Sequence, residues 1–111
     1  MQEEQQVKIL CRIRDIYRSI NEFESQFQKL YNISLNEGML LCTLEDSSLS
    51  SSDLAKNLSL SNSNTSKVIK SAEQKDLVSR NLGQQDKRQM YFCLTEKGKE
   101  LIKKIKCSEL E

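Results

Sequence analysis

Between Ser61 and Ser71 the chain runs SNSNTSKVIKS, a cluster of amides, hydroxyls and lysines without a single carboxylate. Side chains of these kinds recognise bases and phosphates. An amide offers a paired donor and acceptor that match an adenine edge, hydroxyls and the unpaired N–H groups of a helix start suit phosphate, and lysine meets phosphate or guanine. Serine and asparagine also gather at helix starts because they cap them, so this cluster alone carries both readings.

Little else in the chain is equipped for chemistry. There is no histidine, which removes the commonest general base and metal ligand. The carboxylates sit in no recognisable catalytic setting, so an enzyme is not expected. Cys11, Cys42, Cys93 and Cys107 lie far apart with no C-x-x-C spacing, which suggests neither a zinc site nor a disulfide framework. No metal or cofactor is expected. With 111 residues, 30% of them charged and 37% hydrophobic, the chain is long enough for one globular core. No run approaches the ~18 consecutive apolar residues of a membrane span, and MQEEQQ is no signal peptide, so the cytoplasm is the expected location, with no membrane partner.

The elements that must position the polar cluster are legible around it. Asp53 to Leu58 reads as a short helix, entered from the serines 47–52 as a loop plus N-cap. Ser59-Leu60-Ser61 forms a turn, with Leu60 able to plug a core and Ser61 or Asn62 able to cap the second helix. That helix, Ser63 to about Lys75, places Val68, Ile69 and Ala72 inward, with Asn62, Asn64, Thr65, Ser66, Lys67, Lys70 and Ser71 toward solvent or the helix start. This is the layout of a helix-turn-helix. Leu77, Val78 and Arg80 then open a strand, Gly83 to Asp86 supply a polar turn, and Met90, Phe92 and Leu94 alternate with Gln89, Tyr91 and Cys93 as a half-buried strand. Thr95 follows as a helix N-cap. Two strands joined by a charged loop form a β-wing beside the helix-turn-helix, and together they point to DNA. Further upstream, Ser34 and Glu37 have capping-box spacing and start a core helix carrying Leu40, Leu41, Cys42 and Leu44.

Net charge is only +1, so its distribution matters more than its sum. Residues 1–46 hold five basic and eight acidic side chains, whereas residues 59–91 set Lys67, Lys70, Lys75, Arg80, Lys87 and Arg88 against Glu73, Asp76 and Asp86. The positive half coincides with the helix-turn-helix and wing, a polarity that would orient it toward phosphates.

The N-terminal helix asks for its own explanation. From about Glu4 to Tyr31 there is neither glycine nor proline, and Ile9, Ile13, Ile16, Ile20, Phe23, Phe27 and Leu30 recur at spacings of four and three. That is an a/d heptad seam. Leu10, Tyr17 and Tyr31 form a narrower stripe beside it. Such a helix would run about 42 Å, more than a small core needs, so a partner is expected along it.

These residues match a known family: the chain resembles MarR-type winged-helix transcriptional regulators over about residues 8–106. The stretch LSLSNSNTSKVIKSAEQKDLV, residues 58–78, fits that family's recognition-helix region without a gap. The wing carries its Asp-basic-Arg motif as Asp86-Lys87-Arg88, followed at the expected distance by Leu94-Thr95-Glu96-Lys97-Gly98. The resemblance implies a homodimer that docks two recognition helices in successive major grooves of double-stranded DNA. Carried over by position, Ser61, Ser63, Asn64, Ser66 and Lys67 face DNA, Arg88 reaches the minor groove beside Lys87, and Asp86 orients Arg88.

The chain also departs from that pattern. Asp76 stands where the family usually has glycine, and Ser71 where an arginine is common, which leaves Lys70 to substitute for it. Only 13 residues follow Gly98, with Leu101, Ile102 and Ile105 on a short amphipathic helix, whereas the family continues into further dimerisation helices. Either dimerisation rests on the N-terminal seam of Ile9, Ile13, Ile16, Ile20 and Phe23, which is the expectation, or the protein departs from the family's assembly. Family members often release DNA when a small phenolic ligand or an oxidant acts near that region. Cys11, Tyr17 and Tyr31 lie where such a switch would be felt, although core packing is the expected role of Cys11, and the effector is unnamed by the residues.

The expected architecture is a single α+β, mainly helical winged helix-turn-helix domain. It comprises a dimerisation helix at 1–33, a DNA-binding winged helix with a two-stranded wing at 34–95, and a short C-terminal helix at 96–111. The expected function is sequence-specific DNA-binding transcriptional regulation, read as repression. The alternative is a winged-helix protein-interaction module without sequence-specific DNA binding.

Overall fold

A computed structural model describes residues 2–82 and 89–106 and divides into two compact units, Met1–Ser34 and Leu35–Glu111. The first unit is one helix, α1 (Gln2–Tyr31), with Glu3 and Glu4 in its first turn and Lys29 in its last, the signs that suit the helix dipole. Asn32 closes it in a left-handed conformation, φ 59°, its N–H bonded to the Gln28 carbonyl at 2.8 Å. The heptad seam is not uniform. Ile9, Ile13, Ile16, Ile20 and Phe23 are all exposed, whereas Phe27 is buried, with Phe23 and Tyr31 rings on either side at centroid distances of 6.0 and 5.0 Å. Of the narrower stripe, Leu10 and Tyr17 are exposed and Tyr31 is half-buried.

The second unit runs α2 (Leu35–Thr43), β1 (Leu49–Ser50), α3 (Ser51–Leu58), α4 (Asn62–Gln74), β2 (Val78–Leu82), β3 (Met90–Leu94) and α5 (Glu96–Lys106). Its core gathers Leu40, Leu41, Leu44, Leu54, Ile69, Ala72, Leu77, Val78, Phe92, Leu94 and Ile102. Most of these come from the inward stripe of a helix or the inward alternation of a strand, while Leu44 follows α2 directly and Leu77 lies in the link between α4 and β2. Cys42, expected in that core, is exposed instead, because the inward side of α2 is taken by Glu37, Leu40 and Leu41 and continues to Leu44 just beyond its end.

The winged-helix architecture is the one the sequence implies, with one addition. The wing hairpin pairs Val78 with Leu94 through Leu82 with Met90, and β1 adds a third antiparallel strand on the far edge of β3, Leu49 opposite Phe92 and Ser50 opposite Tyr91. The serines 47–52 are thus partly strand. Ser50 still caps α3, its hydroxyl accepting from the Asp53 N–H at 3.2 Å. No described helix is long and apolar enough to cross a membrane.

Candidate nucleic-acid interface

The recognition helix α4 is built from its cap. Ser61 has extended backbone, and its hydroxyl accepts from the Asn64 N–H at 3.1 Å, satisfying one of the free donors of the first turn. That hydroxyl keeps its own hydrogen to donate to a ligand. Beyond the cap the helix has two faces. Thr65, Ile69 and Ala72, at spacings of four and three, are buried. Ser63, Ser66, Lys67 and Lys70 recur at i, i+3, i+4 and i+7 on the other side and are exposed, as are Asn62 and Asn64.

Two side chains expected on the outer face lie elsewhere. Thr65 is completely buried, because its hydroxyl donates to the Ser61 carbonyl at 2.8 Å and leaves only a methyl to pack. Ser71 is half-buried and donates to Glu37 Oε2 at 3.0 Å. Glu37 is a buried carboxylate on α2, and Lys75 at the end of α4 donates to its other oxygen at 2.8 Å. The carboxylate therefore clamps the last turns of α4 to α2.

The charge count along the sequence changes once these partners are known. Lys75 is committed to Glu37, and Arg80 of β2 is committed to Glu73 of α4 through two contacts, 2.7 Å to Oε2 and 2.5 Å to Oε1. Lys67 and Lys70 carry no ion pair among the described residues and are the cations α4 presents. Lys56 joins them. It is exposed in the last turn of α3 and lines a groove with Ser52, Leu60, Ser61 and Asn62. Sequence reasoning passes over Lys56, although its place in the helix before the turn is an available signal.

The wing is held at its base. Thr95 donates its hydroxyl hydrogen to the Asp76 carbonyl at 2.7 Å and accepts from the Gly98 N–H at 3.0 Å, capping α5 while tying it to the end of α4. Gly98 is buried so closely that an added methyl would meet the Leu77 carbonyl oxygen, which accounts for the glycine of the Leu-Thr-x-x-Gly sequence. Asp76 sits in the left-handed region, φ 62°, where a glycine is easiest. Its N–H reaches the Glu73 carbonyl at 2.9 Å and the Leu77 N–H reaches that of Ala72 at 3.0 Å, the paired bonds of a Schellman closure. Asp86, Lys87 and Arg88, the expected wing-tip residues, lie outside the described residues, as does Cys107. Cys11 and Cys93 are half-buried, and Cys93 Sγ accepts from Asn81 at 3.1 Å. No group of side chains able to hold a metal ion occurs among the described residues.

A capped, two-faced helix behind a short helix and turn, followed by a β-hairpin, defines a winged helix-turn-helix of the MarR type. The family model for the transcriptional regulators SarA and Rot matches residues 22–105, and the chain belongs to that family. Solved structures agree. The transcriptional regulator BldR from Sulfolobus solfataricus is 26% identical with a TM-score of 0.80, over 94% of this chain and 76% of that one. AbsC, a MarR family transcriptional regulator from Streptomyces coelicolor, is 25% identical with a TM-score of 0.82, over 91% and 70%. MepR from S. aureus, solved as a DNA complex, is 25% identical with a TM-score of 0.69, over 85% and 78%. No curated protein sequence matches the chain significantly. The family and these relatives are transcriptional regulators, not enzymes.

Proposed function

We propose that this protein is a sequence-specific DNA-binding repressor that acts in the cytoplasm as a homodimer, with α4 in the major groove and the wing in the minor groove. The observation that carries the reading is the outer face of α4. Ser63, Asn64, Ser66, Lys67 and Lys70 stand exposed on a helix whose opposite face is sealed into the core, so the polar side chains are presented on a rigid support. The DNA complex of MepR supports the same use of the fold. Ser61 and Lys56 would hold phosphates at the helix start, and Lys87 and Arg88 would extend the contact to the narrow groove under the guidance of Asp86. Homodimerisation along Ile9, Ile13, Ile16, Ile20 and Phe23 would set the two recognition helices a helical turn apart, about 34–36 Å. A small-molecule or redox effector would act through α1, near Cys11, Tyr17 and Tyr31.

The test is selection of bound duplexes from a random DNA pool, followed by alanine at Asn64 and at Lys67. Each substitution is expected to cost ~1–3 kcal/mol on the selected site, with relaxed base preference at the position it reads. Full affinity and unaltered preference in both variants would remove α4 from the groove. Absence of any salt-dependent binding to duplex DNA would favour a protein-interaction module in its place.

A further inference from the structure

We propose that Glu73, acting through Arg80, fixes the angle between the wing and the recognition helix, so that the two engage DNA as one unit; this rests on the DNA-binding reading above. The backbone link between α4 and β2 is three residues long and already closed at Asp76, which sets where the wing begins. Direction needs a second tie, and the Arg80–Glu73 fork supplies it. Both carboxylate oxygens are engaged, by Nε at 2.7 Å and by Nη2 at 2.5 Å, and a two-point contact between planar groups fixes orientation as well as distance.

The fork is also backed from the sheet. The Arg80 guanidinium carbon lies 5.6 Å from the centroid of the Phe92 ring, close enough for a cation–π contact. Phe92 is buried, is the cross-strand partner of Arg80 on β3 and pairs on its other side with Leu49 of β1. One guanidinium thus joins α4, β2 and β3. The hydrogen bond from Arg80 outweighs the opposing effect of burial and, with a smaller contribution from the Arg80 charge, holds the Glu73 carboxyl below the usual glutamate range, so the pair stays ionised near neutral pH.

A competing role would give Arg80 to phosphate, with Glu73 merely masking it, and the two roles predict opposite results for one substitution. A positioning role makes Glu73→Gln weaken binding; a masking role makes it tighten binding and steepen the salt dependence. The experiment uses the full chain and a duplex selected by the unaltered protein from a random pool. One form of the duplex is long, and a second is trimmed of the flanks beyond the recognition-helix footprint.

Glu73→Gln and Arg80→Gln are each expected to weaken binding to the long duplex on the order of fivefold, with little change on the trimmed one. The double variant should be no weaker than either single variant, the mark of a shared contact. Arg80→Lys should fail to rescue, since an ammonium cannot make the fork. In the free protein, amide exchange in β2 and β3 should quicken in both glutamine variants while the melting temperature barely moves. Tighter binding by Glu73→Gln, additive losses, equal losses on both duplexes, or unchanged exchange in the hairpin would each overturn the proposal. If the unaltered protein binds no duplex, the DNA-binding reading falls and takes this one with it. If it binds and Glu73→Gln binds the long duplex equally well, only the coupling falls.

Discussion

Helices α1 and α4 each carry an exposed stripe of one chemical kind, and the two stripes could hardly differ more. The α1 stripe holds Ile9, Ile13, Ile16, Ile20 and Phe23; the α4 stripe holds Ser63, Asn64, Ser66, Lys67 and Lys70. An apolar stripe left in water is unfavourable by roughly 25 cal/mol for each Å² and calls for an apolar partner, whereas the polar stripe costs nothing in water and calls for a charged and hydrogen-bonding one. The nature of each face therefore argues for a different occupant: a second copy for α1, DNA for α4. Support differs as well. The outer face of α4 is backed by Thr65, Ile69 and Ala72 in the core and by the Glu37 clamp, while the exposed stretch of α1 has no buried residue before Phe27 among the described residues.

The sharpest way to break this contrast is to make the α1 face polar. With Ile16→Lys and Ile20→Lys together, an α1 homodimer would have to bury charges without partners, and it is expected to dissociate. Operator affinity should fall on the order of 100-fold, because the second half-site is no longer held at high effective concentration. Sedimentation equilibrium with a parallel binding titration checks both. A variant that remains dimeric and binds normally would place the interface on another surface.

The next largest effect is expected from loosening the support of α4. Glu37→Gln keeps the shape and the acceptor for Ser71 but removes the charge that holds Lys75. Breaking a fully buried pair costs several kcal/mol, yet Lys75 is 40% exposed and can turn to water, so a loss of ~1–2 kcal/mol in urea unfolding is the expected result. Stability equal to that of the unaltered chain would show that the charge pair with Lys75 adds nothing to the hold on α4.

Legibility in the sequence divides along the same physical line. Local signals are legible. Ser61 capping, the turn at Ser59, the period of the wing strands and Thr95 as a cap each depend on neighbours a few residues away. Distant pairings are not. Lys75 and Arg80 read as free cations facing DNA because Glu37 lies 38 residues from Lys75 in the chain, and because nothing in a charge count says that Glu73 turns toward β2. Strand β1 escapes a sequence reading for the same reason, its two residues being strand only by pairing with Phe92 and Tyr91. Thr65 reads as solvent-facing, yet a hydroxyl that bonds its own helix start is no longer polar to its surroundings. Lys70, expected to substitute for an arginine at position 71, is exposed on the outer face, and Ser71 instead serves the clamp.

The smallest expected effect concerns how the two helices stop. Both end without glycine in the left-handed region, α1 at Asn32 with φ 59° and α4 at Asp76 with φ 62°. Asparagine and aspartate tolerate that conformation better than other side chains, but an L-residue there still costs about 1–2 kcal/mol, part of which glycine gives back through its greater freedom in the unfolded chain. Asp76→Gly should therefore stabilise the protein by up to ~1 kcal/mol. The Thr95 hydrogen bond survives the change because it goes to the Asp76 carbonyl rather than to the carboxylate. Asp76→Asn separates conformation from charge: it keeps a residue suited to φ 62° and removes the carboxylate, so its stability should match that of the unaltered chain. Thermal unfolding of the pair decides the matter. If Asp76→Gly melts lower and Asp76→Asn melts lower with it, the carboxylate itself stabilises the end of the recognition helix, and the departure from glycine at this position is electrostatic in origin.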